Sequence, residues 1–348
     1  MNVAPRRLGR YELRQQIGRG NVGEVWKAYD LQLRRDVAVK IVHTDLQSDP
    51  HFLSNFTQEG QVLTSLRHAN IVQVYDVAVS RSTQGNDTAA YILMEYVGGQ
   101  TLADYLSSTT RKGALPPLAE IVYLFTSLGV AIDYAHQKGI VHGNLKPSNI
   151  LLDQRHREQF QAGEPMLTDF GLLRLVGNAG IVASPFYMSP EQAKGREPGN
   201  RSDIYSLGVI LYELCTGVQP FHDKSSVAVM MQHINALPTP PMLINPDLPP
   251  ALSEVILRAM AKDANMRFPM ASLFALAVAD ACSIQSTLPL SAQSIAASKE
   301  EGGAYHTASG PQKPILGVSQ PLSSLSSPLP KTPTRVSTTS QSLPVFHR

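Results

Sequence analysis

Residues 142–149 read His142-Gly143-Asn144-Leu145-Lys146-Pro147-Ser148-Asn149, and Thr168-Asp169-Phe170-Gly171 lies a short way downstream. Asn149 and Asp169 are 20 residues apart. One amide and one carboxylate form a sparse set of hard oxygen donors. Mg²⁺ suits such a set, because it takes few protein carboxylates and fills its other positions with phosphate oxygens and water. An Asp-Phe-Gly tripeptide alone could be any turn. It gains meaning from what flanks it, in order, along the chain.

Upstream, Gly18-Arg19-Gly20-Asn21-Val22-Gly23 matches G-x-G-x-x-G, with Val25 two residues on. Glycines there let backbone amides approach phosphates closely. Glycine-rich turns are common, and a dinucleotide-binding unit is excluded because strand-like sequence follows where a helix is needed. Val37-Ala38-Val39-Lys40 then ends an apolar strand with a lysine placed to reach back beneath those glycines. A strand-end lysine can also simply snorkel to solvent. A carboxylate would hold it in a cleft. Glu59, in Phe56-Thr57-Gln58-Glu59, is the candidate, although many helices offer some glutamate nearby. Downstream come Ser189-Pro190-Glu191, then Arg201-Ser202-Asp203-Ile204-Tyr205-Ser206-Leu207-Gly208, then Arg267.

In this order and spacing, the chain over residues 10–282 resembles the protein kinase superfamily, specifically the eukaryotic-like serine/threonine kinases of bacteria. The resemblance implies an α+β, two-lobed fold: a small antiparallel β-sheet lobe with one helix, and a larger, mainly α-helical lobe. It implies ATP and Mg²⁺ as cofactors. Ile17, Gly18, Gly20, Gly23, Val25, Ala38 and Leu151 would surround the nucleotide, with Met94, Glu95 and Val97 at the hinge beside the adenine. Lys40, paired with Glu59, would hold phosphates, and Asn149 and Asp169 would bind the metal. Lys146 is the serine/threonine-type lysine of the catalytic loop, and Ser184 replaces the usual threonine and could make the same hydroxyl contact. The resemblance also implies that Glu191 pairs with Arg267 and that Asp203 anchors the catalytic-loop backbone. Leu63, Val74, His142 and Phe170 would stack as a spine, a role that spacing alone does not separate from ordinary core.

Two positions depart from the family pattern His-Arg-Asp-Leu-x-x-x-Asn. Gly143 stands where an arginine pairs with an activation-loop phosphate. Residues 172–183 contain no Ser, Thr or Tyr, so the missing arginine matches a loop with nothing to phosphorylate. Asn144 stands where an aspartate takes the proton of the attacking hydroxyl. Phosphoryl transfer rests mostly on positioning and charge neutralisation, and a general base adds about 10²- to 10⁴-fold. Two functions follow. One is a slow serine/threonine protein kinase that binds ATP with Mg²⁺. The other is a pseudokinase acting as a nucleotide-binding scaffold or signalling partner. A small-molecule kinase on the same fold is disfavoured by the Ser189-Pro190-Glu191 segment.

Composition narrows the remainder. The 348 residues are 43% hydrophobic with a net charge of +2, and no basic block suggests nucleic-acid binding. The two cysteines, Cys215 and Cys282, are too few and too far apart for a disulfide framework or a zinc site. They read as reduced thiols of a cytoplasmic protein. The longest apolar run, 205–215, is broken by Glu213 and falls short of the roughly 18 residues a membrane span needs. Arg6, Arg7 and Arg10 precede no apolar stretch, so no secretory signal is expected.

The reading divides the chain into an extension (1–9), a small lobe (10–97), a large lobe (98–282) and a tail (283–348). Ser, Thr and Pro supply 28 of the 66 tail residues, too polar a composition to bury a core, so disorder is expected there. Ser327-Pro328 and Thr332-Pro333 read as phosphosites or as plain linker chemistry, and any protein substrate or partner is unidentified. Strands are expected at 11–18, 23–30, 36–42, 71–79 and 91–96. A helix is expected from Asp49-Pro50 to Arg67, and others at 118–138, 202–216, 226–237 and 250–262.

Overall fold

Tyr11–Arg19, Gly23–Asp30 and Arg35–Val42 pair successively as antiparallel strands β2, β3 and β4. A two-residue strand, β1 (Arg7–Leu8), precedes them, and β5 (Val74–Arg81) and β6 (Thr88–Glu95) complete a sheet in the order β1-β2-β3-β4-β6-β5. This computed structural model describes residues 6–20, 22–42, 52–81, 88–111, 113–155, 162–171 and 184–283, all within the first of two units, Met1–Gly302 and Gly303–Arg348.

Helix α1 (Phe52–Thr64) lies between β4 and β5 and buries Phe56 and Leu63. Its approach to β5 is close: a Cβ on Gly60 would lie 2.4 Å from Val77 Cγ1. The expected helix start at Asp49-Pro50 lies outside the described residues. At its other end the helix stops at Thr64 rather than Arg67. Ser65 and Leu66 instead make tight i→i−3 turns to Val62 and Leu63. On the sheet's outer face Tyr11, Leu13, Val37, Val39 and Leu93 form a second cluster. The Arg14 and Arg35 guanidinium groups lie 4.1 Å from the ring centres of Tyr29 and Tyr75.

The larger lobe is helical. It contains β7 (Gly99–Thr101), α2 (Leu102–Arg111), α3 (Leu118–Gln137), β8 (Ile150–Asp153) and β9 (Glu164–Leu167). Helices α4 (Pro190–Ala193), α5 (Asn200–Thr216), α6 (Ser226–Asn235), α7 (Pro241–Ile244), α8 (Pro250–Ala259) and α9 (Ala271–Ala281) follow. Helix α5 is buried along almost its whole length and forms the lobe's axis.

Helix α3, not the 205–215 run, is the longest apolar segment here. By length and composition (mean hydropathy 1.4) it could cross a membrane, yet it is a core helix. Phe125 packs edge-on against Phe274 of α9 at 5.7 Å, and the buried Asp133 carboxylate accepts the Ala271 and Ser272 amides at 2.8 and 2.9 Å. Those two bonds satisfy donors that a helix start leaves open.

One strand differs from expectation. Ile71 and Val72 are apolar but do not begin β5. Ile71 bridges Leu167 in parallel, and Val72 donates to the Leu167 carbonyl at 2.8 Å, joining the two lobes. Cys215 is buried and Cys282 half-buried, and burial pushes their thiols up to about 12 and about 11. Both are therefore protonated at neutral pH.

Candidate active site

A cleft of about 860 Å³ opens between the sheet and the helical lobe. The end of β2 and start of β3 supply Ile17, Gly18, Gly20 and Gly23, with Val25 and Ala38 on the strands behind them. Leu151 of β8 forms the opposite wall, and Met94, Glu95 and Val97 form the back edge where the chain passes between lobes. Lys40, Asn144, Lys146, Asn149, Asp169 and Ser184 also line the cleft. Every site residue expected from sequence is therefore gathered here except Glu59. That residue is on α1, but its side chain lies outside the described residues, and so does any Lys40–Glu59 pair.

Lys40 pairs with a carboxylate in the cleft. Its Nζ lies 2.7 Å from Asp169 Oδ2, and the lysine is 6% exposed. Asp169 has a φ of +66°, in the left-handed region that a non-glycine residue enters only when its surroundings hold it there. Asn149 sits in a 3₁₀ turn (Pro147–Asn149) and donates from Nδ2 to the Asn144 carbonyl at 2.9 Å. Its Oδ1 takes no hydrogen bond among the described residues. Burial pushes the Lys146 ammonium below its usual range, Asp169 pulls it back up and Lys40 pushes it further down. The cleft thus juxtaposes two cations with one carboxylate and one amide oxygen. Among the described residues no three His, Cys, Asp or Glu side chains cluster as a metal cage. The donor set fits Mg²⁺ that arrives on nucleotide phosphates and takes two protein oxygens.

The catalytic loop is held from below by Asp203, whose carboxylate accepts the backbone amides of His142 and Gly143 at 2.9 and 2.8 Å. His142 packs at a tilt against Phe170, ring centres 4.7 Å apart, and its Nε2 meets the Thr168 carbonyl at 3.0 Å. Full burial lowers its pKa, so it is neutral, a packing residue and not a proton shuttle. Leu63, Val74 and Phe170 line one small cavity behind Met94, so the four spine residues do lie together.

Gly143 shows something its sequence position does not. Its φ is +72°, its carbonyl accepts Gln192 Nε2 at 2.7 Å, and a Cβ there would lie 3.2 Å from Pro198 Cγ. We expect Gly143→Ala to lower stability by about 1–2 kcal/mol in chemical denaturation, from the left-handed backbone and the contact together. An unchanged midpoint would show that the loop relaxes around the new methyl. Gln192 was not singled out from sequence. The Ser-x-x-Gln spacing of a capping box was the available signal, and Ser189 and Gln192 form that box at the start of α4.

Asn144 is also engaged. Its Oδ1 accepts the Ser184 backbone amide at 3.3 Å. The contact between these two positions is thus made through the amide of Ser184 and not through its hydroxyl. Beyond it, Glu191 and Arg267 form a two-pronged ion pair, with both N–O distances at 2.8 Å, as expected. Residues 172–183 lie outside the described residues.

A sheet-rich lobe thus lies over a helical lobe, with a lysine, an aspartate and an asparagine lining the cleft between them. Residues 11–276 match the family model described as Protein kinase domain, and the chain belongs to that family. It is 39% identical over 278 residues to a probable serine/threonine-protein kinase of Streptomyces coelicolor, covering 77% of this chain and 39% of that protein. It is 37% identical over 277 residues to serine/threonine-protein kinase PrkC of Bacillus subtilis, covering 78% of this chain and 40% of that protein. The chain thus spans about two fifths of these relatives' length. Among solved structures, the PknI kinase domain of Mycobacterium tuberculosis is similar with a TM-score of 0.64 at 25% identity, covering 81% of this chain and 100% of that one. The chain is of the bacterial, eukaryotic-like serine/threonine kinase type, with the protein kinase fold.

Proposed function

We propose that this chain binds Mg²⁺·ATP in the cleft and transfers the γ-phosphate slowly to serine or threonine hydroxyls of a protein. The observation that carries this reading is the meeting of Lys40, Lys146, Asn149 and Asp169 in one cleft, with Asn144 at the position of the missing base. When bound, Mg²⁺ neutralises phosphate charge. The chain's own residues do the rest. Lys40 and Lys146 offset negative charge, the hinge from Met94 to Val97 and the walls at Val25, Ala38 and Leu151 hold the base, and Asn144 faces the incoming hydroxyl. An amide oxygen accepts a hydrogen bond from that hydroxyl but cannot usefully hold its proton. The proton therefore leaves to solvent or phosphate, and turnover is slow. We also propose a cytoplasmic location, supported by the two free thiols Cys215 and Cys282.

One observation favours the second reading, a nucleotide-binding scaffold without chemistry: Asn144 Oδ1 already accepts one hydrogen bond, from the Ser184 amide, which leaves it a single lone pair for an incoming hydroxyl. Labelled-phosphate transfer separates the two. Wild type should show slow, Mg²⁺-dependent transfer, and Lys40→Ala should lower it by about 10²- to 10³-fold, the usual cost of removing one preorganised charge-stabilising group. Wild-type signal no greater than that of Lys40→Ala, with Mg²⁺·ATP still bound, would replace the enzyme reading with the scaffold.

A further inference from the structure

Arg155 lies just beyond β8, on the outer side of the cleft's back edge. Its Nε donates to Asp153 Oδ1 and Oδ2 at 3.0 and 2.9 Å, and its Nη2 donates to Asp153 Oδ2 at 2.7 Å. The same Nη2 reaches Glu95 Oε1 at 2.8 Å. Asp153 is buried at 2% exposure, whereas the Arg155 side chain is half exposed. One guanidinium therefore joins a carboxylate fixed in the helical lobe to a carboxylate on the segment that connects the lobes.

Glu95 matters because of where it stands. It is the last residue of β6, it pairs with Val37 of β4, its amide donates to the Gln73 carbonyl at 2.9 Å, and it lines the cleft. Its neighbour Tyr96 is held from the other lobe, with Lys27 Nζ 4.3 Å from the ring centre. The connecting segment is gripped by a cation on each side. A fork of planar donors fixes direction as well as distance, which a lysine at the same place would not do.

We propose that Arg155 is a positioning residue for the base-binding edge of the nucleotide cleft. It fixes the Glu95–Val97 backbone against the helical lobe. This rests on the nucleotide reading above and adds a role for a residue outside the cleft. It also makes a distinction that a general loss of structure does not. Arg155 acts on the base-recognising end, whereas phosphate is held at the far end by Lys40, Lys146 and the glycine turn.

The test uses three probes by calorimetry on the full chain: Mg²⁺·ATP, adenosine, and Mg²⁺·tripolyphosphate. Arg155→Ala removes the fork, and Glu95→Gln removes only the upper carboxylate charge and leaves Arg155 on Asp153. In both variants Mg²⁺·ATP and adenosine should bind about three- to fivefold more weakly, the effect expected of one partly exposed charged pair. Tripolyphosphate should stay within about twofold of wild type. Equal weakening of all three probes would mean a merely structural role, and unchanged adenosine affinity in both variants would overturn the proposal outright. Wild type that binds neither ATP nor adenosine would overturn the nucleotide reading together with it.

Discussion

Asn144→Asp should raise the rate of phosphate transfer by about 10²- to 10⁴-fold, which corresponds to roughly 3–5 kcal/mol of barrier. The substitution exchanges one amide nitrogen for an oxygen and leaves the side chain's size unchanged. Oδ1 can still accept the Ser184 amide, now as a charged acceptor. Asp203 continues to hold the loop backbone through His142 and Gly143, so the new carboxylate enters a scaffold already in place. The gain should appear in kcat and leave the KM for ATP nearly unchanged, because position 144 lies at the acceptor end, away from the hinge. Labelled-phosphate transfer under single-turnover conditions measures it. A variant no faster than wild type would show that the proton acceptor does not limit this chain.

The largest expected effect on stability belongs to Arg267. Its side chain is fully buried, and besides Glu191 it serves the carbonyls of Arg201 and Ala261, each at 2.8 Å. Arg267→Ala strips the Glu191 carboxylate of its charged partner, leaving Ser202 Oγ at 2.6 Å, and removes the donor to both carbonyls. Breaking a buried pair from one side costs about 3–5 kcal/mol, or roughly 10 °C in Tm for a body of this size.

The same pair sets a pH dependence. Burial alone would raise the Glu191 carboxyl, but the hydrogen bonds from Arg267 and Ser202 outweigh it and hold the group at about 2, against 4.5 for a free carboxyl. A depressed folded-state pKa stabilises above the unfolded value and loses that contribution as pH falls through the folded one. Wild type should therefore lose about 3 kcal/mol between about pH 4.5 and 2 from this group. Arg267→Ala should lose far less of it in denaturant titrations across that range. Equal acid sensitivity in the two proteins would place its source elsewhere.

Strand β2 was legible because buried Tyr11 and Leu13 alternate with more exposed neighbours, and β4 because its run Val37-Ala38-Val39 is apolar and buried throughout. Helix α9 was not, because Ala271–Ala281 is apolar on nearly every face and so carries no helical stripe. Ile71 and Val72 read as strand for a related reason. Their apolarity comes from the junction with Leu167, 96 residues away, which no local pattern encodes. The residues named from sequence, Glu59 apart, line one cleft, and each was legible because its chemical type stands out at its place in the motif order. Two contacts among them were not foreseen: Lys40 meets Asp169, and the Ser184 backbone amide donates to Asn144. The expected Lys40–Glu59 pair lies outside the described residues. Gly143 was read as a lost arginine, and its left-handed backbone became visible only in three dimensions.

The central claim is a complete nucleotide site that lacks one proton acceptor. Calorimetric titration of Mg²⁺·ATP into wild type and Asn144→Asp tests it most directly. Saturable binding that requires Mg²⁺, with Kd values within about twofold of each other, is the predicted result, because Asn144 is no part of what holds the nucleotide. Absence of binding to wild type, or binding that appears only when Asp is restored at position 144, would contradict it.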